Sequence, residues 1–173
     1  MIQDSGKRRE FASGAVRDID EGKGRCDLLP LREVGEALDC HAFNAMVKFL
    51  ETGNMGVLEE IIFNTVTTMF KDKYTAMLEV AMHYAEGIQK YGERNWEKGI
   101  SCHCYVDSYV RHTLKWLRGD TDERHDRAAL WNLLGLKWTI RHKPECNDLP
   151  YNTENNNSTT ITYKEELGDI YDI

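Results

Sequence analysis

The sequence has no long apolar run, no excess of positive charge and no regular cysteine framework. No apolar segment approaches the ~18 residues that a membrane-spanning helix requires, so we expect no membrane partner. The formal net charge of −7 argues against a protein that coats nucleic acid, because such proteins use Lys and Arg to replace phosphate counterions. Five cysteines are an odd number, and their spacing matches no disulfide scaffold. We therefore expect free thiols in a reducing compartment.

The opening residues, MIQDSGKRRE, lack the apolar segment of a signal peptide. Together with the cysteines, this predicts a cytoplasmic protein. A length of 173 residues with 41% hydrophobic residues suits one domain with a single core.

Composition divides the chain into three parts. Residues 1–26 are rich in glycine and basic residues and have no apolar period, which predicts an irregular arm. The arm is either disordered or wrapped on the domain, where its Arg and Lys side chains would close over an anionic ligand. Residues 27–143 carry helical periodicity, and residues 144–173 form an Asn- and Thr-rich tail. Within the tail, the β-branched residues of Ser158–Tyr163 predict one short strand.

Six amphipathic helices are predicted between these arms, and no internal repeat is present. They begin after Pro30 and then run over about His41–Glu51, Val57–Phe70, Lys73–Lys90, Cys104–Arg118 and Glu123–Ile140. Thr121 or Asp122 is expected to cap the sixth. The fold class is therefore all-α: a single helical-bundle domain with an irregular N-terminal arm and a C-terminal tail.

The fourth helix has two opposed faces. An apolar stripe, expected to face the core, contains Met77, Val80, Ala81, Tyr84 and Ile88. The opposite stripe is polar, and its members share one face because they are three or four residues apart. Its carboxylates can share a divalent cation with carboxylates of a neighbouring helix, or the whole stripe can simply be solvated. These polar residues are Glu79, His83, Glu86 and Lys90.

Chemistry-bearing side chains recur on the fifth and sixth helices. The alternative to a site is structural: the acidic residues would stabilise a helix N-terminus, and His112 would be a hydrogen-bonded core histidine. Asn132 lies within the apolar run LWNLLGLKW, and a buried amide without partners costs about 1–3 kcal/mol, which favours a binding role. The candidates on these two helices are Asp107, Arg111, His112, Asp122, Glu123, His125, Asp126 and Asn132.

The segment that follows the fourth helix suits a phosphate and a base. Lys and Arg can bind phosphate oxygens, and an aromatic ring can stack on a base. Alternatively, Tyr91 and Trp96 are a hydrophobic clamp. The candidate residues here are Lys90, Tyr91, Arg94, Asn95 and Trp96.

Two runs, KYGERNWEKG and DSYVRHTLKWLRGDTDERHDRAALWNLLG, together resemble the dATP/dGTP diphosphohydrolase N-terminal domain family, whose members are commonly carried by phages. The opening SGKRREFASGAVRD and GKGRCDLLP extend the resemblance over roughly residues 4–140. The family is similar in theme to MazG-like all-α nucleotide pyrophosphohydrolases, in which helical carboxylates bind Mg²⁺. The matching positions are Lys90, Tyr91, Gly92, Asn95, Trp96, Asp107, Arg111, His112, Asp122, His125 and Asn132.

The resemblance implies a Mg²⁺-dependent pyrophosphohydrolase of (deoxy)purine nucleoside triphosphates. MazG-like enzymes carry E-x-x-E and E-x-x-D pairs, whereas within residues 83–132 only Glu123 with Asp126 forms such a pair. This keeps open a phage protein that sequesters a nucleotide without cleaving it. Small helical domains often complete a site across a symmetric interface, so a homo-oligomer is expected. The predicted catalytic residues are Glu86, Asp107, His112 and His125; the metal ligands are Glu79, Glu86, Asp122, Glu123 and Asp126; and the substrate contacts are Arg8, Arg9, Arg17, Lys23, Arg25, Lys90, Tyr91, Arg94, Asn95, Trp96, Arg111 and Asn132.

Overall fold

The computed structural model describes residues 6–152, which form a helical domain preceded by a small hairpin. The strands are β1 (Arg8–Glu10) and β2 (Val16–Asp18). The helices are α1 (Leu31–Ala37), α2 (His41–Thr52), α3 (Met55–Met69), α4 (Lys73–Tyr91), α5 (Cys102–Arg118) and α6 (His125–His142). Short 3-10 turns cover Cys26–Leu28, Asn95–Lys98 and Pro144–Cys146. The predicted single all-α domain is confirmed.

Within the predicted irregular arm, residues 8–18 form an antiparallel hairpin that the sequence did not indicate. Its register pairs Arg9 with Arg17. The strands are only three residues long, too short to show a period of two. Ala15, in the turn between the strands, is fully buried, so the hairpin is packed on the helical domain and its arginines are held in place.

Side-chain caps begin α3 and α4. The side chain of Asn54 accepts a hydrogen bond from the backbone N–H of Gly56 (2.9 Å), and Asp72 accepts from Tyr74 and Thr75 (both 2.9 Å). Such caps satisfy N–H groups that have no partner inside the helix. The helix α2 ends at Gly53 (φ 63°), a left-handed conformation that glycine adopts without steric cost.

The start of α6 differs from the expectation. The helix begins at His125, and neither Thr121 nor Asp122 caps it. Asp122 instead accepts a hydrogen bond from His125 Nε2 (2.7 Å) and pairs with Lys115 (2.9 Å). The acidic residues before α6 are therefore engaged by side chains, not by the free N–H groups of the helix.

The helix α5 lies at the centre of the core. It packs along α6 on one side and against the Cys26–Leu28 turn on another. Tyr105 and Tyr109 are its largest fully buried side chains. They pack with residues from α2, α3 and α6, and with Leu149 from beyond Pro144. Residues 144–152 of the predicted tail thus contribute to the core, whereas Ser158–Tyr163 lie outside the described residues.

The apolar stripe predicted for α4 is only partly confirmed. Val80 is buried and Tyr84 packs against the core, but Met77, Ala81 and Ile88 are exposed, whereas the polar residues Glu79 and His83 are partly buried. The cause is α6, against which α4 packs: Arg127 pairs with both Glu79 and Glu86, and His83 packs on Trp131 with ring centroids 5.7 Å apart. Specific ion pairs therefore outweigh the hydrophobic pattern in setting this face.

The outward face of α4 forms an exposed apolar surface. Residues three and four apart on a helix share a face, and large exposed apolar patches mark interaction sites. A second copy of the chain would suit such a surface, and the homo-oligomer stays a prediction. Among the described residues, no helix is long and apolar enough to cross a membrane. The exposed side chains of α4 are Tyr74, Met77, Leu78, Met82 and Ile88.

Gly135→Ala is expected to lower the free energy of unfolding by about 1–3 kcal/mol, the usual cost of overpacking a core. A Cβ at this position would lie 2.5 Å from the ring of Tyr105, and that ring is fully buried. Gly87→Ala is the matched control, because nothing lies within 4 Å of its Cβ and alanine favours the helix by about 1 kcal/mol. Urea unfolding of both variants checks this; equal shifts would contradict it.

Candidate functional site

A cavity of about 970 Å³ opens between the hairpin and the helical domain. Its walls come from β2, the C-terminal half of α4, the 92–97 segment, α5 and α6. The volume is at the upper end of the range for small-molecule sites. Its polar and aromatic lining residues are Arg9, Arg17, Asp18, Asp20, Lys23, His83, Tyr84, Tyr91, Glu93, Arg94, Asn95, Trp96, Glu97, Ser108, Arg111, His112, Lys115, Glu123, Trp131 and Asn132.

Arg17 lies in the wall of this cavity without a counter-ion. Its Nη2 donates to Ser108 Oγ (3.0 Å) and to Asn132 Oδ1 (3.2 Å). Its Nη1 is buried and has no hydrogen-bond partner, and no carboxylate of residues 6–152 pairs with Arg17. Arg9 lies directly opposite on β1, and like charges placed opposite each other repel. The arrangement therefore favours a bound anion.

The other basic residues of the cavity each hold a carboxylate. Arg9 pairs with Asp20, Lys23 with Asp18 (2.8 Å), and Arg111 with Asp107 (2.6 Å). Lys115 pairs with Asp122, and Arg94 pairs with Glu97 (2.7 Å). The wall therefore holds both basic residues and carboxylates, and the charges of these basic residues are compensated.

Three predicted substrate contacts lie outside the cavity lining. Arg25 pairs with Asp27, because the two residues lie together at the Cys26–Leu28 turn. Arg8 lies over the ring of Tyr91, with its guanidinium carbon 5.1 Å from the ring centroid, and it donates to the backbone carbonyl of Lys90 (3.5 Å). Arg8 and Lys90 thus connect the hairpin to the end of α4.

Asn95 and Asn132 both line the cavity, and their amides hold Arg17 in position. Asn95 accepts from the backbone N–H of Val16 and donates to its carbonyl, both at 2.8 Å. Asn132 donates to the carbonyl of Ala128 (2.7 Å) and accepts from Arg17. The buried amide of Asn132 therefore has its partners within the protein.

Aromatic rings form another part of the wall. Trp131 lies next to Tyr84 (centroids 5.9 Å apart) and 5.9 Å from the guanidinium carbon of Arg17. Trp96 lines the cavity but also packs edge-on against Trp138 (4.8 Å), so its ring acts at least partly as the clamp considered from the sequence. Burial lowers the pKa of His83 to about 4, which keeps this imidazole neutral at pH 7.

Two histidines and a glutamate converge at one end of the wall. His112 Nδ1 and His125 Nδ1 are 3.1 Å apart. Glu123 Oε1 lies 3.2 Å from His112 Nδ1 and 3.4 Å from His125 Nδ1. His112 and Glu123 line the cavity, whereas His125 is buried behind them. Burial, followed by the charge of Arg111, lowers the pKa of His112 well below its ordinary value.

The structure does not gather the five predicted metal carboxylates at one point. Glu79 and Glu86 pair with Arg127, and Asp126 pairs with Arg124 (2.6 Å). Guanidinium groups occupy these oxygens because α4 and α6 pack through them. Glu123 and Asp122 instead lie in two overlapping clusters with histidine, one of which also includes Asp120.

Asp107, a predicted catalytic residue, is buried outside the cavity lining. One oxygen accepts from the backbone N–H of Cys26 (2.7 Å), and the other pairs with Arg111. The carboxylate therefore ties the Cys26–Leu28 turn to α5.

Sequence reasoning missed Ser108, Lys115 and Trp131 as cavity residues. Ser108 and Lys115 lie on α5, one and eight positions after Asp107, so a helical projection from Arg111 could have included them. Trp131 precedes Asn132 on α6 and has no signal of its own, because a tryptophan in an apolar helix usually belongs to a core.

A model of the family described as dATP/dGTP diphosphohydrolase, N-terminal, matches residues 65–149. No curated protein and no solved structure matches the chain. The matched segment holds α4, α5 and α6, and thus most of the cavity wall. The hairpin with Arg9 and Arg17 lies before this segment, and its resemblance to the family stays a prediction. Residues 65–149 are therefore similar to the dATP/dGTP diphosphohydrolase N-terminal family, which confirms the resemblance of this segment.

Proposed function

We propose that the cavity binds a purine deoxynucleoside triphosphate and that the chain hydrolyses it to the monophosphate and pyrophosphate. One observation carries the binding part: within residues 6–152, Arg17 is a partly buried cation without a counter-ion, and its Nη1 lacks a hydrogen-bond partner. A guanidinium group can bind a phosphate through two parallel hydrogen bonds. The purine preference follows from the family name.

The remaining cavity residues suit the rest of such a ligand. Arg111 and Lys115 project from α5 into the same cavity as Arg17 and Lys23, so several phosphate oxygens can be neutralised together. Tyr84, Tyr91 and Trp131 offer ring faces for the base.

Mg²⁺ is the proposed cation of the nucleotide. Mg²⁺ in such sites commonly takes one or two carboxylates together with substrate phosphates and waters. Glu123 is the predicted metal ligand that lines the cavity, and it would hold the cation beside the phosphates. When bound, Mg²⁺ would neutralise phosphate charge and polarise the phosphorus for attack.

In the reaction, a water oxygen bonds to the α-phosphorus and the bond from that phosphorus to the bridging oxygen breaks. Pyrophosphate leaves, and the proton of the attacking water is released to the solvent. The protein's own part is to hold the phosphates on the basic wall and the base against the rings, which positions the reacting atoms.

Binding without cleavage is the second candidate. It is favoured by the arginine pairs that occupy Glu79, Glu86 and Asp126, since these carboxylates are then unavailable to a metal. Such a protein would sequester its nucleotide.

We expect the full chain, incubated with dATP or dGTP and Mg²⁺, to produce monophosphate and pyrophosphate, with dCTP and dTTP cleaved more slowly. Anion-exchange chromatography of the mixture checks this. Intact triphosphate released in stoichiometric amount after heat denaturation would favour sequestration. If neither the monophosphate product nor retained nucleotide is found, the proposed function is rejected.

A further inference from the structure

We infer that His112, His125 and Glu123 form a binding site for a divalent transition metal. The three side chains come from α5, from the connection after Gly119 and from the first residue of α6. None of the predicted Mg²⁺ ligands except Glu123 belongs to this set. The metal's role beside the phosphates rests on the proposed function, whereas the binding of the metal does not.

The three atoms are spaced as metal ligands are. Their separations are 3.1 Å between the two Nδ1 atoms, and 3.2 and 3.4 Å from these atoms to Glu123 Oε1. Ligands about 2.05 Å from one metal are about 2.9 Å apart at octahedral angles and about 3.4 Å apart at tetrahedral angles. One cation can therefore touch all three atoms without a large movement of the backbone.

A hydrogen bond determines which ring nitrogen of His125 is unprotonated. Asp122 Oδ1 lies 2.7 Å from His125 Nε2, and a carboxylate accepts, so this nitrogen carries a proton. In a neutral imidazole the other nitrogen, Nδ1, then presents its lone pair, and it points at His112 Nδ1 and Glu123 Oε1. Metal-binding histidines are typically oriented by a carboxylate in this way.

Without a cation, a proton on His112 Nδ1 can be shared between His125 Nδ1 and Glu123 Oε1. With that proton on Nε2 of His112 instead, all three atoms present lone pairs. His125 is buried, and the side chains of His112 and Glu123 are only 16% and 10% exposed, so water has limited access. A metal ion would satisfy all three lone pairs together.

The types of donor atom indicate which metal ions this site favours. Two imidazoles with one carboxylate suit Mn²⁺, Fe²⁺, Co²⁺ or Zn²⁺, and this set leaves coordination positions open, whereas Mg²⁺ prefers oxygen alone. Because His112 and Glu123 line the cavity next to Arg111 and Lys115, the open positions face the basic wall.

Titration of the EDTA-treated full chain with Co²⁺, in the absence of nucleotide, tests the inference. We expect one equivalent to bind per chain with visible absorption bands of a nitrogen- and oxygen-ligated Co²⁺, and Zn²⁺ to displace it. His112→Ala and Glu123→Gln should weaken Co²⁺ binding by at least about 100-fold. Asp122→Asn, which acts through His125, should weaken it by about 10- to 100-fold.

His41→Ala is the matched control, because His41 is exposed, pairs with Glu60 and does not line the cavity. Circular dichroism of each variant verifies that it is folded, and Glu123→Gln keeps the shape of the side chain if His112→Ala fails to fold. Absence of Co²⁺ and Zn²⁺ binding by the wild-type chain, or unchanged affinity in folded Glu123→Gln, would overturn the inference.

Nucleotide binding is measured separately with dATP in EDTA. If the chain binds Co²⁺ but neither binds nor cleaves dATP, the proposed function is rejected and the metal site is supported. If the chain binds dATP but neither Co²⁺ nor Zn²⁺, the metal site is rejected and nucleotide binding is supported.

Discussion

Arg17→Ala is expected to lower the affinity for dATP and dGTP by about 100-fold. A hydrogen bond to a charged group contributes about 1.5–3 kcal/mol, and about 2.7 kcal/mol corresponds to that factor. The buried Nη1 atom has no partner in the free protein, so the bond to a phosphate is made only in the complex. Isothermal titration with each nucleotide measures the change.

Replacing Arg17 should leave the free energy of unfolding of the nucleotide-free protein nearly unchanged. The buried Nη1 of Arg17 carries a desolvation cost that no ion pair within residues 6–152 offsets, so Arg17→Met, which keeps an apolar stem, is expected to unfold at the same or a higher temperature. Arg32→Ala is the control, because its pair with Glu51 is exposed. Arg17 would be a structural residue if its replacement left the nucleotide affinity unchanged. The same would follow if the free energy of unfolding fell by as much as the free energy of nucleotide binding.

Asp107→Ala is expected to lower the free energy of unfolding by about 3–5 kcal/mol, the range for removing one partner of a buried ion pair. The substitution leaves Arg111 and the backbone N–H of Cys26 without their carboxylate. The side chains of Asp107 and Arg111 are only 8% and 15% exposed, so water replaces the lost bonds poorly. Urea unfolding measures the effect.

Glu51→Ala removes an exposed pair of the same charge type and should cost at most about 1 kcal/mol. The comparison also separates the two roles of Asp107. A variant of unchanged stability that has lost turnover would restore the catalytic role predicted from the sequence; a destabilised variant that still cleaves nucleotide when folded supports the structural one.

Helix boundaries were predictable because their signals are local. Asn54 and Asp72 cap helices through N–H groups two or three residues away, and Gly119 ends α5 in a left-handed conformation. The predicted cap of α6 was wrong because its signal was also local. A cap at Asp122 would require the helix to begin nearby, but the carboxylate of Asp122 pairs with Lys115 and His125.

The candidate site was predictable in its residue types and less so in its partners. His112, Glu123 and His125 were named from their spacing, and the structure brings them together. Arg17 was one of six basic residues in an arm without periodicity, and nothing local set it apart from Arg25. Its distinction depends on Ser108 and Asn132, which lie 91 and 115 residues away.

By itself, the sequence determined the helical class and most helix ends, since caps, glycines and apolar periods act within a few residues. It also showed the resemblance of residues 65–149 to the dATP/dGTP diphosphohydrolase N-terminal family. Tertiary structure alone decided which face of α4 points inward and which carboxylates are engaged. Arg127 meets Glu79 and Glu86, which precede it by 48 and 41 residues, only after α4 and α6 have packed. The free energy of a charge depends on its neighbours in space, which a one-dimensional pattern does not contain.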